Sequence, residues 1–318
     1  MTAISLTRGV LITGGAGFIG SHTADALLRK NIPVTVLDNL STGKRSNLNL
    51  QAPLLRFIEG DVLDYATVQQ AVQDCDAVLH LTALPSVPQS IEDPVHSHAV
   101  NTQGFLHVLQ AIRETQRPLR LVYASSSAIY GDATDLPCSD TTSLSGAVLS
   151  PYALQKAQNE QYAALYDRLF NVRSLALRYF NVYGPRQDPQ SLYSGVISRF
   201  LARYQQGDSL TVFGDGSQLR DFIHVEDVAR ANCLALESSA SGILNIATGV
   251  PETLNQLLSY IEETGGQTAA VVYAPARLGD IHASYAATQK AEQHLNFRHQ
   301  IPLREGVHRL MREGMEIV

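Results

Sequence analysis

The chain has 318 residues, of which 45% are apolar and 17% charged, and its formal net charge is −6. This composition excludes a disordered chain and predicts a folded protein of one large or two interlocked domains. The sequence contains no run of five or more Lys or Arg, so neither nucleic acid nor an anionic membrane surface is an expected partner.

Three scattered cysteines, Cys75, Cys138 and Cys233, are too few for a disulfide framework or a thiolate metal site. We therefore expect small buried thiols, a reducing compartment and no metal. The N-terminal segment offers one basic residue, Arg8, before a short apolar run that turns into glycines, which predicts neither a signal peptide nor a membrane span. Together these features favour a cytoplasmic location.

From the N-terminus to Arg178, short apolar runs alternate with longer amphipathic stretches, a pattern typical of parallel βαβ units and a doubly wound α/β sheet. The predicted strands are Val10–Thr13, Val34–Asp38, Leu54–Glu59, Ala77–Leu81, Leu119–Ser125 and Ser174–Arg178. The predicted helices are Phe18–Lys30, Tyr65–Gln73, Pro94–Thr115 and Pro151–Leu169.

After Arg178 the pattern loosens and predicts a smaller α/β substrate domain of interleaved segments. We expect turns at Tyr183–Pro189, helices at Leu192–Gln206, Val225–Glu237, Thr253–Glu263 and Ile301–Glu316, a strand and turn over Leu210–Gln218, and a strand at Gly242–Ala247. We assign residues 1–180, with returning segments at about 222–247, to a Rossmann domain, and residues 181–318 mainly to the substrate domain.

A glycine-rich turn follows the first predicted strand and opens the first predicted helix. Its glycines, Gly14, Gly17 and Gly20, allow a tight turn, a close approach of backbone to a pyrophosphate, and close helix–strand contact, respectively. The N–H groups and dipole at the start of the helix, at Phe18 and Ile19, attract the anion. This arrangement predicts a dinucleotide site.

Asp38 ends the second strand at the position, about 20 residues beyond the glycine turn, where a carboxylate accepts from the adenosine ribose and repels a 2′-phosphate. This favours NAD over NADP, although Lys44 and Arg45 just downstream could weaken the preference. The candidate cofactor contacts also include Asn39, Asp61 and Val62. Asp61 and Val62 fit an adenine contact or a solvated turn equally well.

Tyr152 and Lys156 lie four residues apart on a predicted helix, and therefore on one face, with Ser150 as a good N-cap and Pro151 at the first helical position. A neighbouring ammonium stabilises a phenolate and would lower the pKa of Tyr152, making it a usable general base. The preceding strand ends in three serines, which include Ser126, at the carboxyl edge where such sheets bind ligands.

Four motifs together resemble the extended short-chain dehydrogenase/reductase family, and specifically its NAD-dependent nucleotide-sugar 4-epimerases. They are Thr-Gly-Gly-x-Gly-Phe-Ile-Gly from residue 13, Ser-Ser-x-x-x-Tyr-Gly, Tyr-x-x-x-Lys, and the segment 178–185. The resemblance spans nearly the whole chain. It implies catalytic roles for Ser126, Tyr152 and Lys156, with the last two also contacting NAD. It further implies that Asn101 supports the active site and is a candidate cofactor contact.

The resemblance also implies a UDP-binding set in the second half of the chain. Arg220 and Arg277 match arginines that hold the UDP pyrophosphate, Asp280 matches a ribose-binding acid, and Asn181 matches a phosphate contact. Singly, either arginine could equally be a surface ion-pair residue. Buried backbone-bonding asparagine is the alternative for Asn101 and Asn181.

The positions after Ser126 bear on the reaction type. Ser127 and Ala128 stand where related dehydratases carry Asp and Glu and where a related decarboxylase carries Glu at the second position, so elimination and decarboxylation are disfavoured. Ser284 stands where epimerases restricted to UDP-glucose and UDP-galactose carry tyrosine, which leaves room for an N-acetyl group. Pro85 replaces a frequent lysine. Its neighbour Ser86 is a candidate substrate contact, as are Ser126 and Ser127.

The resulting expectation is reversible C4 epimerisation of UDP-N-acetylglucosamine and UDP-N-acetylgalactosamine through a 4-keto sugar, with UDP-glucose and UDP-galactose as a weaker pair. The alternatives are a reductase or dehydrogenase of another nucleotide sugar and a non-catalytic dinucleotide-binding protein. The family also implies a homodimer built from two helices, near His98–Thr115 and Pro151–Leu169.

Overall fold

The computed structural model describes residues 4–141, 148–188, 195–276 and 281–315. In chain order its strands are β1 (Val10–Thr13), β2 (Val34–Asp38), β3 (Leu55–Glu59), β4 (Ala77–His80), β5 (Arg120–Ser126), β6 (Ser174–Tyr179), β7 (Asn181–Tyr183), β8 (Leu210–Phe213), β9 (Leu219–His224), β10 (Gly242–Ile246), β11 (Pro251–Thr253), β12 (Val271–Ala274) and β13 (Ala283–Ser284). Its helices are α1 (Phe18–Arg29), α2 (Tyr65–Gln73), α3 (Val87–Glu92), α4 (Pro94–His98), α5 (Gly104–Glu114), α6 (Pro151–Phe170), α7 (Val196–Gln205), α8 (Val225–Glu237), α9 (Leu254–Gly265), α10 (Gln289–Leu295) and α11 (Leu303–Met315).

A seven-stranded parallel sheet forms the centre, in the order β3-β2-β1-β4-β5-β6-β10. Strands β1 and β4 are buried along their whole length, as strands covered on both faces must be. The strand order reverses between β1 and β4, which opens a crevice at their carboxyl ends. The predicted doubly wound parallel sheet is confirmed.

Two apolar clusters cover the two faces of this sheet. One joins α1 and α8 to strands including β1, β2 and β6 through side chains such as Leu27, Val228 and Leu236. The other joins α2, α5 and α6 through Val68, Phe105 and Ala163. Burial of these side chains at about 25 cal/mol per Å² is the main source of the fold's stability.

The elements predicted up to Arg178 are all present, with most boundaries within one residue. The prediction of one helix over Pro94–Thr115 is wrong in detail, because a π-helical turn at Ala99–Gln103 separates α4 from α5. Helix α3 was not predicted. Ser86 caps it, with its Oγ accepting from the N–H of Gln89 at 3.0 Å.

The second half adds a smaller α/β layer beside the sheet's carboxyl edge. Strand β9 pairs with β7, β11 and β13, while β8 and β12 form a separate parallel pair. A third apolar cluster joins α7, α9 and α11 through Phe200, Leu257 and Val307. Strand β10 leaves this region to join the main sheet beside β6.

Sequence patterns anticipated α7, α8, α9, α11, β8 and β10 but missed β7, β9, β11, β12, β13 and α10. Most of the missed strands have two to four residues, which is too short for an alternating pattern to be recognised. Tyr183, expected to begin a run of turns, ends β7, and residues 192–194 of the predicted helix over 192–206 lie outside the described residues. In the described part of the chain no helix is long and apolar enough to cross a membrane.

Candidate active site

The turn after β1 forms a cradle that admits only glycine at two positions. Gly14 has φ +71°, and a Cβ there would lie 2.8 Å from the backbone N of Thr82. A Cβ on Gly20 would lie 2.3 Å from the carbonyl O of Gly14, so the start of α1 packs directly on the turn. These close approaches match the predicted roles of both glycines.

The N-terminus of α1 faces this cradle without a side-chain cap. Its N-cap is Gly17, and no side chain of the described residues caps the N–H groups of its first turn, which contains Phe18 and Ile19. Uncapped N–H groups together with the helix dipole attract an anion. The cradle and the helix start therefore fit the pyrophosphate of a dinucleotide.

Asp38 lies at the end of β2 and is 8% exposed. Its carboxylate accepts hydrogen bonds from the N–H of Ala16 at 2.9 Å and from the N–H of Leu40 at 2.8 Å. Burial raises the pKa of this carboxyl, while the two backbone hydrogen bonds oppose that rise. Each oxygen keeps a second lone pair, so the group fits the hydroxyls of an adenosine ribose.

The two cations that follow Asp38 are both engaged by carboxylates. Lys44 Nζ lies 3.2 Å from Asp188 Oδ2, and Arg45 pairs with Glu59. Glu59 stands opposite Asp38 in the β2–β3 register, so the Arg45 pair lies beside Asp38. Each cation is neutralised by a carboxylate, which favours the expected discrimination against a 2′-phosphate.

The ends of β2 and β3 bring three predicted cofactor residues together. Asn39 Nδ2 donates to Asp61 Oδ2 at 2.8 Å, while Asp61 Oδ1 accepts from the N–H of Leu63 at 2.9 Å. Val62 is buried, and its side chain leaves no room for a Cβ on Gly104. These contacts bring Asn39, Asp61 and Val62 together next to Asp38, and their contact with adenine stays a prediction.

Helix α6 begins as the sequence predicts. Ser150 Oγ accepts from the N–H of Ala153 at 3.1 Å, and Pro151 occupies the first helical turn. Ser90, which lies in α3, accepts a hydrogen bond at its Oγ from the N–H of Tyr152 at 3.1 Å. Helix α3 therefore also holds the start of α6 in place. The first turn of α6 is therefore held at two points.

Tyr152, Lys156 and Ser126 meet at the carboxyl edge of the sheet. The Tyr152 side chain is hydrogen-bonded to Ser126, and Lys156 Nζ lies 5.8 Å from the centre of the Tyr152 ring. Lys156 Nζ also donates to the carbonyl O of Ala124 at 2.9 Å. The structure therefore brings together the three side chains that the sequence singled out for catalysis.

The pKa of Tyr152 differs from the expectation. Burial raises it above the ordinary value of 10.0, and the opposing contribution comes from the hydrogen bond to Ser126 rather than from Lys156. Burial also lowers the pKa of Lys156 to about 8, while the charge of Glu160 raises it. The sequence argument placed a cation beside the phenol but left out the loss of hydration that both groups undergo.

Asn101 lies in the π-helical turn and is 1% exposed. Its Oδ1 accepts from the N–H of Leu84 at 2.7 Å, and its Nδ2 donates to Gln155 Oε1 at 2.7 Å. Asn159 Nδ2 donates to the carbonyl O of Asn101 at 2.8 Å. Asn101 thus links the loop after β4 to α6, as the expected supporting role requires, and its predicted contact with the cofactor stays a prediction.

A cavity of about 300 Å³ is lined by residues of β7, α7, β8 and β9, where the resemblance places part of the substrate site. Asn181 and Arg220 both line it, and Asn181 Nδ2 donates to the carbonyl O of Asp221 at 3.0 Å. Arg220 Nη1 donates to the carbonyl O of Leu219 at 2.9 Å, which fixes one side of its guanidinium. Guanidinium and amide groups of this kind suit a phosphate ligand.

The remaining predicted substrate residues are less closely grouped. Ser284 stands opposite Arg220 in the β13–β9 register and is half-buried. Ser127 opens the short helical turn after β5, and Ser86 is 2% exposed with its Oγ occupied in capping α3. Arg277 and Asp280 lie outside the described residues.

The sequence analysis missed several buried polar residues beneath the site. Glu160 and Arg178 form a buried ion pair with 2.7 Å between Arg178 Nη2 and Glu160 Oε2. His80 shares a hydrogen bond of 2.8 Å with Thr13 Oγ1, and its Nε2 has no hydrogen-bond partner among the described residues. The four-residue spacing from Lys156 to Glu160 could have indicated that Glu160 lies on the same helix face. No sequence pattern indicated the buried position of His80.

Comparisons with known proteins agree with this geometry. Residues 10–247 match the NAD dependent epimerase/dehydratase family. A protein of Methanocaldococcus jannaschii, provisionally named a UDP-glucose 4-epimerase, is 38% identical over 95% of this chain and 97% of its own.

Two solved structures share the fold over nearly the whole chain. The UDP-N-acetylglucosamine 4-epimerase of Methanobrevibacter ruminantium M1, solved with UDP-N-acetylmuramic acid, has a TM-score of 0.92 at 36% identity and covers 98% of this chain and 99% of its own. The UDP-glucose 4-epimerase of Thermus thermophilus, solved with NAD, has a TM-score of 0.88 at 37% identity and covers 97% and 99%. The chain therefore belongs to the NAD dependent epimerase/dehydratase family and is an NAD-dependent enzyme.

Proposed function

We propose that this protein is a UDP-sugar 4-epimerase that interconverts UDP-N-acetylglucosamine and UDP-N-acetylgalactosamine, with UDP-glucose and UDP-galactose as a slower pair. The observation that carries the proposal is the buried Tyr152 phenol, hydrogen-bonded to Ser126 and flanked by Lys156, at the same sheet edge as the glycine cradle. Similarity to solved UDP-sugar 4-epimerases supports the reaction class.

Tyr152 acts as the general base for the sugar's 4-hydroxyl. Ser126 donates a hydrogen bond to the phenol oxygen, which favours the phenolate, and the same hydroxyl lies where it can also contact the sugar oxygen. Lys156, with a pKa of about 8, stays mainly protonated at neutral pH and supports the phenolate by its charge. On the return step Tyr152 gives the proton back to the 4-oxygen.

The cofactor site consists of residues of this chain that are already in place. Gly14, Gly17 and Gly20 would hold the pyrophosphate and Asp38 the adenosine ribose, while Lys156 lies near enough to the edge of the sheet for the nicotinamide ribose. NAD, when bound, supplies a reversible hydride acceptor for carbon C4.

The substrate side must hold the nucleotide and release the sugar. Arg220 and Asn181 line the cavity and would bind the diphosphate, so the UDP portion stays fixed. Inversion requires the 4-keto sugar to turn about its phosphate linkage and accept hydrogen on its opposite face. An open pocket fits that requirement better than a tight clamp.

The N-acetyl preference rests on Ser284. Its short side chain stands beside Arg220 in the sheet, where a tyrosine would project its ring toward the same pocket edge. Ser127 and Ala128, in the turn after Ser126, supply no carboxyl group for water elimination or decarboxylation. Epimerisation needs no carboxyl group at these two positions.

Proton NMR of the sugar region gives a direct test. Purified protein with NAD is incubated separately with UDP-N-acetylglucosamine, UDP-N-acetylgalactosamine, UDP-glucose and UDP-galactose. We expect each acetamido sugar to yield its C4 epimer without net consumption of cofactor. Stoichiometric use of NAD(H) would indicate a reductase or dehydrogenase, and absence of any turnover would contradict the proposal.

The oligomeric state and compartment also belong to this proposal. Apolar side chains are exposed on α6 and on the neighbouring α3 and α4, including Leu154, Leu169, Ile91 and Val95, of which Val95 is 79% exposed. We infer that a second copy covers this face, and sedimentation of Val95→Glu beside the unaltered protein tests it. The thiols of Cys75, Cys138 and Cys233 are free and buried, which fits a reducing cytoplasm.

A further inference from the structure

A buried carboxylate lies one helical turn beyond the catalytic lysine. Glu160 is 7% exposed and Arg178, on β6, is 2% exposed. Arg178 Nε lies 2.9 Å from Glu160 Oε1, and Arg178 Nη2 lies 2.7 Å from Glu160 Oε2. Buried ion pairs of this kind are often no more stabilising than apolar residues of similar volume. A contribution to stability therefore does not by itself explain why this pair is present.

Glu160 completes a ladder of contacts between α6 and the end of β5. Tyr152 bonds to Ser126, Lys156 Nζ donates to the carbonyl O of Ala124 at 2.9 Å, and Ser125 Oγ donates to Glu160 Oε1 at 2.6 Å. Three consecutive strand residues are therefore tied to three helix residues spaced one turn apart. Removing the Glu160 contact would free Ser125, the residue between the other two.

The other side of the pair reaches the substrate region. Arg178 Nη1 donates to Tyr130 Oη at 2.8 Å, and Tyr130 Oη donates to Asn245 Oδ1 at 2.7 Å. Asn245 Nδ2 then donates to the carbonyl O of Cys138 at 2.9 Å and of Ala287 at 3.3 Å. Ala287 lies three residues after Ser284, so hydrogen bonds connect α6 to the segment proposed to set sugar preference.

Titratable groups on two elements interact with Lys156: Tyr152 and Glu160 on the same helix, and His80 on β4. Tyr123 on β5 and Arg178 on β6 interact with Glu160. Burial lowers the pKa of Lys156 and Glu160 raises it, while burial lowers the pKa of His80 to about 3 and so keeps that ring neutral. Glu160 is the carboxylate that favours the charged form of Lys156.

We propose that Glu160 and Arg178 are a positioning pair for the reaction: Glu160 holds the end of β5 against α6, and Arg178 extends that constraint through Tyr130 to Asn245. The inference rests on the proposed epimerase function. Both residues are buried beneath the site, and they act on the reaction through Ser125, Ser126 and Lys156.

The central test is Glu160→Gln, which keeps the side-chain volume and one acceptor but removes the charge. We expect kcat with UDP-N-acetylglucosamine to fall on the order of 10- to 100-fold, with KM little changed, because misplacement near reacting groups is costly. The limb of the pH profile that belongs to Lys156 should move to lower pH. Glu160→Asp should restore the position of that limb in part.

Two further variants separate geometry from charge. Arg178→Lys keeps the positive charge but loses the bidentate contact, and Ser125→Ala removes one hydrogen bond while leaving Glu160 and Arg178 in place. We expect Ser125→Ala to lower kcat about threefold to tenfold without moving the pH limb. The matched control is Glu263→Gln, which removes the charge from an exposed bidentate pair with Arg304 and should change neither quantity.

A readout without substrate distinguishes this inference from the proposed function. The ultraviolet ionisation of Tyr152 is measured as the difference between each protein and its Tyr152→Phe counterpart. Glu160→Gln should shift it to higher pH, because movement of the end of β5 weakens the hydrogen bond between Ser126 and Tyr152 that lowers the pKa of the phenol. If the unaltered enzyme turns over none of the UDP-sugars but this shift is present, the epimerase proposal fails and the positioning pair stands.

The inference is overturned if the folded Glu160→Gln, Arg178→Lys and Ser125→Ala enzymes keep the original kcat and pH profile. It is also overturned if all three lose their fold, as measured by circular dichroism, while Glu263→Gln keeps it, because the pair would then be a structural support. If Glu160→Gln alone fails to fold, the kcat values of Arg178→Lys and Ser125→Ala decide. Lower values support the proposal, and unchanged values overturn it.

Discussion

The cofactor side and the substrate side of this site are built differently. On the cofactor side, Asp38, Asn101 and Lys156 are each at most 8% exposed and already hold hydrogen bonds to the protein. On the proposed substrate side, Arg220 and Asn181 are partly exposed and line an open cavity, and the half-buried Ser284 stands opposite Arg220 in the sheet. The difference suits the proposed reaction, in which the redox cofactor is held rigidly while the sugar rotates within the site.

The strongest test of the cofactor side is Tyr152→Phe. Loss of the general base should lower kcat by about 10²- to 10⁴-fold while leaving the affinity for UDP nearly unchanged, since UDP is held on the other side. NMR turnover and calorimetry with UDP measure the two quantities. The matched control is Tyr166→Phe on the same helix, whose hydroxyl contacts Gln110. A loss of a few-fold would remove Tyr152 from the role of base.

Burial of Lys156 on the cofactor side should lower the free energy of unfolding. Burial lowers the pKa of Lys156 from 10.5 to about 8, so the unfolded chain binds this proton more tightly than the folded one. The resulting destabilisation is complete below about pH 8, shrinks between pH 8 and 10.5, and is absent above that range. Its full size is about 3 kcal/mol.

Lys156→Met should therefore abolish turnover and raise the free energy of unfolding at pH 7. The expected gain is about 2 kcal/mol, because loss of the hydrogen bond to Ala124 offsets about 1 kcal/mol. Urea unfolding at pH 7 and pH 10.5 measures the gain and its disappearance. Lys30→Met, which replaces an exposed lysine paired with Glu237, is the control and should show no gain. Destabilisation of Lys156→Met at pH 7 would contradict the argument.

Asp38→Asn probes the adenosine end of the cofactor side. Removing the charge should weaken NAD binding about 10- to 100-fold and improve the relative affinity for NADP, because the repulsion of a 2′-phosphate is lost. Titration of the protein with NAD and NADP gives both constants. Glu263→Gln, which removes a carboxylate from an exposed pair with Arg304, serves as the control. An unchanged NAD-to-NADP ratio would exclude Asp38 as the selecting group.

Ser284→Tyr tests the open substrate side and should have the smallest effect. Added bulk should lower turnover of UDP-N-acetylglucosamine about tenfold more than that of UDP-glucose, because only the former carries the acetamido group. Ser284→Ala removes the hydroxyl without adding volume and should affect both sugars equally. Equal losses for both sugars in Ser284→Tyr would defeat the size argument.

The two sides also differed in how far sequence could predict them. The glycine turn, Asp38 at the end of β2, and the Tyr152–Lys156 spacing are local patterns, and the structure places each at the sheet's carboxyl edge. Arg220 and Ser284 meet only because β9 and β13, which are far apart in the chain, pair with each other. Only the family resemblance indicated these two residues.

By itself, the sequence determined the parallel sheet, the dinucleotide turn and the catalytic helix face, because buried strands, glycine turns and four-residue helix spacings each leave a short-range signal. Tertiary structure decided the Glu160–Arg178 pair, the cavity around Arg220 and the direction in which the pKa of Tyr152 moves. Those features depend on which distant segments pack together and on how much water their packing removes, and neither quantity is written in a local pattern.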